Sequence, residues 1–290
     1  EWLIINDGSR DRTLEVAQAC GVDHIVNLQS NQGLAKGFMA GIEACLEAGA
    51  DIIVNTDADN QYCAADIPQL IAPILEGYAE IVIGARPIQS IQHFSPLKKL
   101  LQNFGSFVVR LASQTQIPDA PSGFRAISRE AALRLNVFNE YTYTLETIIQ
   151  AGQKGLIITS VPIRTNGYLR PSRLVKDIST YVQRSSLNIA LIFMTFLPLK
   201  IFMMLVSVSF GLGFLLCCRW LWLFWGIIGD NPAKPRVPSL ILAAMLILIG
   251  VQLWIFGLLA DLMGVNRQLL EDIQLRLRRQ EYNQKKSDRQ

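Results

Sequence analysis

The stretch "DADNQ", residues 57–61, sets two carboxylates and an amide directly after the apolar run "DIIVN". Carboxylates at the end of a buried strand either cap the next element or hold a cation. Oxygen donors of this kind suit a hard ion, Mg2+ or Mn2+. Zinc would want histidine or cysteine, and the chain has only two histidines, His24 and His93, without a ligand partner at useful spacing. Two further strand ends carry comparable residues, "NDGS" at 6–9 and "GARP" at 84–87. Each taken alone reads as turn chemistry: Asp7 and Ser9 satisfy local backbone groups, Gly8 tolerates positive φ, and Asp66 caps the helix after "DADNQ". In open α/β sheets ligands sit beyond the carboxyl ends of the strands, so the three ends predict one composite site.

Such a site needs a sheet to carry it. Upstream of about residue 187, short apolar runs alternate with helical periodicity, the pattern of α/β units around a largely parallel sheet. "WLIIN", "HIVNL", "DIIVNTD", "EIVIGAR" and "LIITSVPIR" read as strands. Between them, "DRTLEVAQACG" reads as a helix with Asp11 near its start and Gly21 at its end. "GLAKGFMAGIEACLEAG" is a second, with Leu34, Phe38, Ile42 and Cys45 on one face and Gly49 as its stop. "IPQLIAPILEG" is a third, and an amphipathic helix is expected over Pro96 to Ser113. The chain opens on a strand-like segment without a signal-peptide pattern, which leads us to expect a first strand upstream of residue 1.

Half of the 290 residues are hydrophobic, and the surplus is concentrated between Ile189 and Leu262. Two spans long enough for a bilayer are expected, 199–228 and 237–260, joined by the polar turn "GDNPAKPRVPS". This divides the chain into a catalytic part (1–170), a juxtamembrane amphipathic segment (171–198), the two spans, and a charged amphipathic tail (261–290). Leu269, Leu270, Ile273 and Leu277 lie on one face of that tail, which reads as a solvated or surface-bound helix or as a self-association face for a homo-oligomer. A formal charge of +3 is too small to mark nucleic acid as a partner. Five cysteines without CxxC spacing fit a reducing compartment, and the Arg- and Lys-rich tail places it and the catalytic part on the cytoplasmic side.

"INDGSRDRT", "NQGLAKGFMAGI", "DADNQ", "GARP" and "SGFRAISRE", in this order and spacing, resemble glycosyltransferase family 2. Within it they are most similar to the polyprenyl-phosphate branch, that of dolichyl-phosphate mannose synthase and the bactoprenol glucosyltransferases. The resemblance implies a GT-A-type nucleotide-sugar-binding sheet with flanking helices, a nucleotide-diphosphate sugar as donor and a polyprenyl phosphate, undecaprenyl or dolichyl, as acceptor in the bilayer. It implies that Asp7, within the "NDGS" turn of Gly8 and Ser9, contacts the nucleotide base and that Lys36 lies along the nucleotide pocket. Asp57 and Asp59 match the D-x-D carboxylates, and Gln61 the glutamine that completes the metal site. Arg86, Ser122 and Arg125 match residues facing the phosphates. Asn6, Asn60 and Pro121 depart from the residues usual at those positions, aspartate, leucine and threonine. "CCRW" places Arg219 and Trp220 as in the Q-x-x-R-W signature of processive polysaccharide synthases, but Leu216 stands where the glutamine would be.

A phosphate monoester, with a second pKa near about 6, arrives already anionic and needs no strong base. It needs donors to hold it beside the anomeric carbon, and Arg125, Arg170 and Arg173 are the candidates. Glu146 is the one spare carboxylate, read equally well as a structural group. The reaction expected is an inverting, metal-dependent hexosyl transfer by a membrane-anchored enzyme. The alternatives are a catalytically silent scaffold or nucleotide-sugar sensor of the same fold, and a transferase acting on a sugar hydroxyl.

Overall fold

The computed structural model describes residues 1–87, 109–110, 113, 115–137, 143–166, 194, 198–224 and 237–287. Two compact units result. The first comprises Glu1–Ile189 together with Glu271–Gln290, the second Ala190–Leu270. The expected Pro96–Ser113 helix, except for residues 109–110 and 113, and Arg170 and Arg173 lie outside the described residues.

In the first unit, β1 (Leu3–Asp7) and β2 (His24–Leu28) pair in parallel, with Leu3 opposite His24 and Asp7 opposite Leu28. The crossover is α1 (Thr13–Ala19). Asp11 Oδ1 accepts from Thr13 N at its start, and Gly21, at φ 73°, turns the chain after its end. α2 (Leu34–Ala48) buries Phe38 and Ile42 and ends on Gly49 in the left-handed conformation, as its periodicity predicts. Leu34, expected on the same face, is 50% exposed because it opens the first turn at the solvent edge.

The second sheet runs β3 (Ile52–Asn55), β5 (Arg125–Ser128), β4 (Ile81–Ala85), β6 (Ile158–Pro162). It is mixed, which corrects the expectation of a largely parallel sheet. β5 is antiparallel to both neighbours, and only β4 and β6 are parallel. The motif "SGFRAISRE" conceals this strand because its apolar content is slight and its first side chain is an arginine. α3 (Ile67–Leu75) covers one face, packing Leu70 into a core of Val82, Phe124, Ala126 and Ile163. α4 (Arg129–Arg134) is capped by Ser128, whose Oγ accepts from Ala131 N, and α5 (Thr144–Gln153) carries the buried Thr147 and Glu146. Asp66, expected as the α3 cap, makes no such bond. It instead takes Arg164 in a fork, with Nη2 at 2.6 Å and Nε at 2.9 Å, and the Arg164 backbone N–H at 2.7 Å.

α6 (Pro198–Phe224) and α7 (Val237–Ser287) are both long and apolar enough to cross a membrane. Within the second unit they meet over small residues. A β carbon at Gly257 would stand 2.8 Å from Phe202 Cβ, and one at Gly213 3.0 Å from Ile247 Cγ1. Ser209 Oγ donates to Leu246 O at 2.6 Å across the pair. Many other apolar side chains of these helices face outward, Met204 and Phe214 among them.

α7 continues unbroken past the apolar stretch, and from Glu271 it belongs to the first unit. There Lys154 Nζ meets Glu271 Oε2 at 2.8 Å. Arg278 donates to Leu135 O and to Glu43 Oε1, Arg279 pairs with Glu130, and Arg129 lies over the Tyr282 ring. Leu269, Leu270, Ile273 and Leu277 remain exposed, so the face that contacts the catalytic part is the polar one.

Candidate active site

β3 stops at Asn55, whose Nδ2 donates to Gly123 O (2.7 Å) and Tyr143 Oη (2.9 Å), fixing the base of the turn that follows. Beyond it Asp57 lies half-buried against Gly123. A β carbon there would come within 2.6 Å of Asp57 Oδ2, so glycine alone leaves room for the carboxylate. Burial and then the charge of Asp59 push the Asp57 pKa above its ordinary value, while Arg86 and Arg125 pull the other way. Asp59 is exposed, and its Oδ1 accepts from Gln61 N at 3.0 Å, a turn that closes around Asn60 at φ 58°.

β4 delivers Arg86. Its Nε and Nη2 hold the Asp119 carboxylate at 2.7 and 3.0 Å, and its backbone N–H adds a third bond at 3.1 Å. The two side chains are 9% and 1% exposed. Burial alone would lower the Arg86 pKa, but the hydrogen bonds and charge of Asp119 reverse this and hold it above its ordinary value.

Ser122 and Arg125, matched by resemblance to residues facing phosphate, are both buried. Arg125 donates to Ser122 O, Ala120 O and Thr147 Oγ1 and lies over the Tyr143 ring. This geometry braces the 120–122 turn from beneath, where a phosphate would have to displace backbone carbonyls to reach the guanidinium. Ser122 Oγ is buried without a hydrogen-bond partner among the described residues. Tyr62 closes the same wall, its Oη accepting from Gly123 N at 3.1 Å and its ring stacked on Phe124. Tyr143 stacks on Phe38 of α2 at 4.1 Å. Glu146 is buried and accepts from Gln150 Nε2, which ties α5 to Asn136, a structural place for that carboxylate.

The other sheet contributes a cavity of about 490 Å3 between the ends of β1 and β2, lined by Gly8, Ser9, Asp11, Asn27 and Asn31 among others. Gly8, at φ 66°, brings the turn onto the Ser30–Asn31 backbone, where a β carbon would sit 2.4 Å from Asn31 N. Asn6 Nδ2 donates to Asn27 Oδ1 and Asn6 Oδ1 accepts from Ser9 N, locking the cavity floor. Asp7 uses both carboxylate oxygens on the loop before α2, with Gln32 N at 2.7 Å and Gly33 N at 3.0 Å. Lys36 is exposed in the first turn of α2.

The structure therefore brings Asp57, Asp59, Gln61 and Arg86 to one sheet edge and sets Gly8 and Ser9 around the cavity of the other sheet. Asp119, Asn55, Tyr62 and Tyr143 were not anticipated. Of these, Asp119 is visible in the sequence as the acid three residues before the "SGFRAISRE" motif, and Asn55 as the polar end of an apolar run. Among the described residues no three His, Cys, Asp or Glu side chains form a metal cluster. The Asp57–Asp59 pair with the Gln61 amide is an all-oxygen donor set. Burial first and the charge of Asp59 second raise the Asp57 pKa, and a hard divalent cation would relieve both.

The family model described as Glycosyl transferase family 2 matches residues 1–135. An uncharacterized protein of Methanocaldococcus jannaschii is 35% identical over 172 residues, covering 56% of this chain and 69% of its own length. The UDP-N-acetylglucosamine–dolichyl-phosphate N-acetylglucosaminyltransferase of Methanococcus voltae is 31% identical over 188 residues, covering 56% of this chain and 73% of its own. Among solved structures, glucosyl-3-phosphoglycerate synthase from Mycobacterium tuberculosis, bound to Mn2+, uridine diphosphate and glucosyl-3-phosphoglycerate, superimposes with a TM-score of 0.50 at 18% identity. The match covers 65% of this chain and 68% of that one, a likeness of fold.

Proposed function

The chain belongs to glycosyl transferase family 2, and on that premise we propose that it moves a hexose from a nucleotide-diphosphate sugar to a polyprenyl phosphate at the membrane, with a divalent cation and inversion at the anomeric carbon. The observation that carries the reading is the half-buried Asp57, seated over Gly123 beside Asp59 at the carboxyl end of β3, on a chain with two helices apolar enough to cross a bilayer. The name of the Methanococcus voltae relative, a dolichyl-phosphate transferase, supports the acceptor class.

Asp57, Asp59 and Gln61 would hold Mg2+ or Mn2+, which when bound neutralises the charge growing on the departing nucleoside diphosphate. Arg86, fixed by Asp119, supplies a second positive charge that cannot swing away, and such preorganised charge favours the transition state over the ground state. Arg125 positions the Ser122 turn and with it Gly123, the seat of Asp57. Gly8 and Ser9 line the cavity offered to the nucleotide, Asp7 fixes the loop that leads into α2, and Lys36 is assigned to the nucleotide by its place in the sequence. An acceptor phosphate oxygen forms the new bond to the anomeric carbon as the bond to the diphosphate oxygen breaks. The acceptor arrives deprotonated, so the site needs no strong base. Arg170 and Arg173 are assigned to its phosphate by their place in the sequence between β6 and the first apolar helix.

The full chain in detergent, given a panel of nucleotide sugars, a short-chain polyprenyl phosphate and Mg2+ or Mn2+, should form a polyprenyl monophosphosugar of inverted configuration. Transfer to a sugar hydroxyl alone, or no transfer with any donor, would refute the reading. The catalytic unit is assigned to the cytoplasmic face. A cysteine introduced near Asn231 should then be labelled from the opposite face.

A further inference from the structure

We infer that Asn166, just beyond β6, is a positioning residue for the 57–62 turn and so for cation affinity; the inference rests on the cation reading of Asp57 and Asp59 given above. The turn has one expensive feature. Asn60 is the only non-glycine residue at positive φ among the described residues, at 58°. Asparagine tolerates this conformation better than most side chains but does not prefer it, so the turn needs an external hold to keep one shape.

Asn166 supplies that hold from a different strand. Its backbone N–H donates to Gln61 O at 2.9 Å, and its Nδ2 donates to Asn60 O at 3.0 Å, with Asn60 Oδ1 and Tyr62 O both at 3.4 Å. One asparagine thus gathers the carbonyls of three successive turn residues. The neighbouring residues continue the seam: Thr165 pairs with Tyr62 in an antiparallel bridge, and Arg164 forks onto Asp66. From inside, Asp59 Oδ1 closes the same turn on Gln61 N, so the carboxylate meant for the cation and the Asn166 amide grip the peptide between them. Without the Asn166 side chain, the remaining bonds still join the loop to the strand end, but the Asn60–Gln61 peptide is held on its N–H side alone, by the same Asp59 carboxylate that must turn to the cation. The carboxylates then meet the cation from a broader set of conformations, and affinity falls by the fraction of time the turn is correctly formed.

Asn166 is exposed, which separates this role from a contribution to the core. The test is Mn2+ binding to the full chain in detergent, followed by the electron paramagnetic resonance signal of free Mn2+. Four proteins are compared: parent, Asp59→Asn, Asn166→Ala and the double variant Asn60→Gly with Asn166→Ala. Asp59→Asn should lose the site. Asn166→Ala should weaken Mn2+ by about 10-fold or more, within the ~10–100-fold range typical of residues that orient metal ligands, with an unchanged thermal midpoint. The double variant should recover part of the loss, because glycine adopts positive φ freely. If the parent binds Mn2+, Asp59→Asn does not, and Asn166→Ala binds like the parent, the role of Asn166 is overturned while the cation reading stands. If neither the parent nor Asp59→Asn binds Mn2+, the cation reading fails and takes this inference with it.

Discussion

Asp7 ends β1 and Asp57 stands just beyond β3, at the edges of two different sheets, and their surroundings are opposite. Asp7 faces two backbone N–H groups that lead into α2, which makes it a fastener between β1 and the helix. Asp57 is half-buried in a seat cut from a glycine, and burial first and the charge of the exposed Asp59 second raise its pKa. The same side chain is therefore satisfied by the protein at one edge and left needing positive charge at the other. The difference teaches that strand-end acids are told apart by what donates to them, a property of the tertiary fold.

The sharpest test of this contrast is at Asp119, which secures the fixed cation of the second edge. Asp119→Ala should destabilise the protein by about 3–5 kcal/mol, the usual cost of leaving one member of a buried ion pair alone, read as a drop in denaturation midpoint of the detergent-solubilised chain. An unchanged midpoint would mean that Arg86 is not held as described. Asp59→Asn should lower the transfer rate on the order of 10^2–10^3-fold with Mg2+ or Mn2+ while leaving the midpoint alone. Parent-like turnover would remove the second edge from the chemistry. Asp7→Ala should do the reverse, losing about 1–3 kcal/mol of stability as two backbone donors lose their acceptor, with Mn2+ affinity retained.

The smallest effect concerns pH, at Asp66, a third acid satisfied within the protein. The Arg164 fork holds its folded pKa below the ordinary 3.8, so its stabilisation is complete above that value and disappears as the pH falls through the lowered one. Melting temperatures taken from pH 5 down to 3 should fall more steeply for the parent than for Asp66→Asn. Parallel curves would show that the fork does not matter to folding.

Much of this was legible along the chain. Buried runs such as "EIVIGAR" and the stop at Gly49 have local causes, a two-residue alternation lost to burial on both faces and a left-handed turn that glycine alone takes easily. The D-x-D acids, too, were visible as acids at a strand end. Their partners were not. β5 was missed because four residues beginning with arginine carry too little periodicity to read as a strand. The surroundings of Arg125 were not legible because spacing identifies a cation without revealing that three acceptors would close over it. Asp66 followed the capping rule until Arg164, 98 residues away, offered a stronger partner.

The return of residues 271–287 to the catalytic unit bears on the order in which the protein is made. Glu43, Glu130 and Lys154 emerge from the ribosome long before Arg278, Arg279 and Glu271, and both apolar helices are translated in between. During synthesis the early domain therefore waits with these surfaces uncovered. It is completed only after both apolar helices have been translated, so the last stage of its folding waits on the C-terminal end of the chain's longest helix.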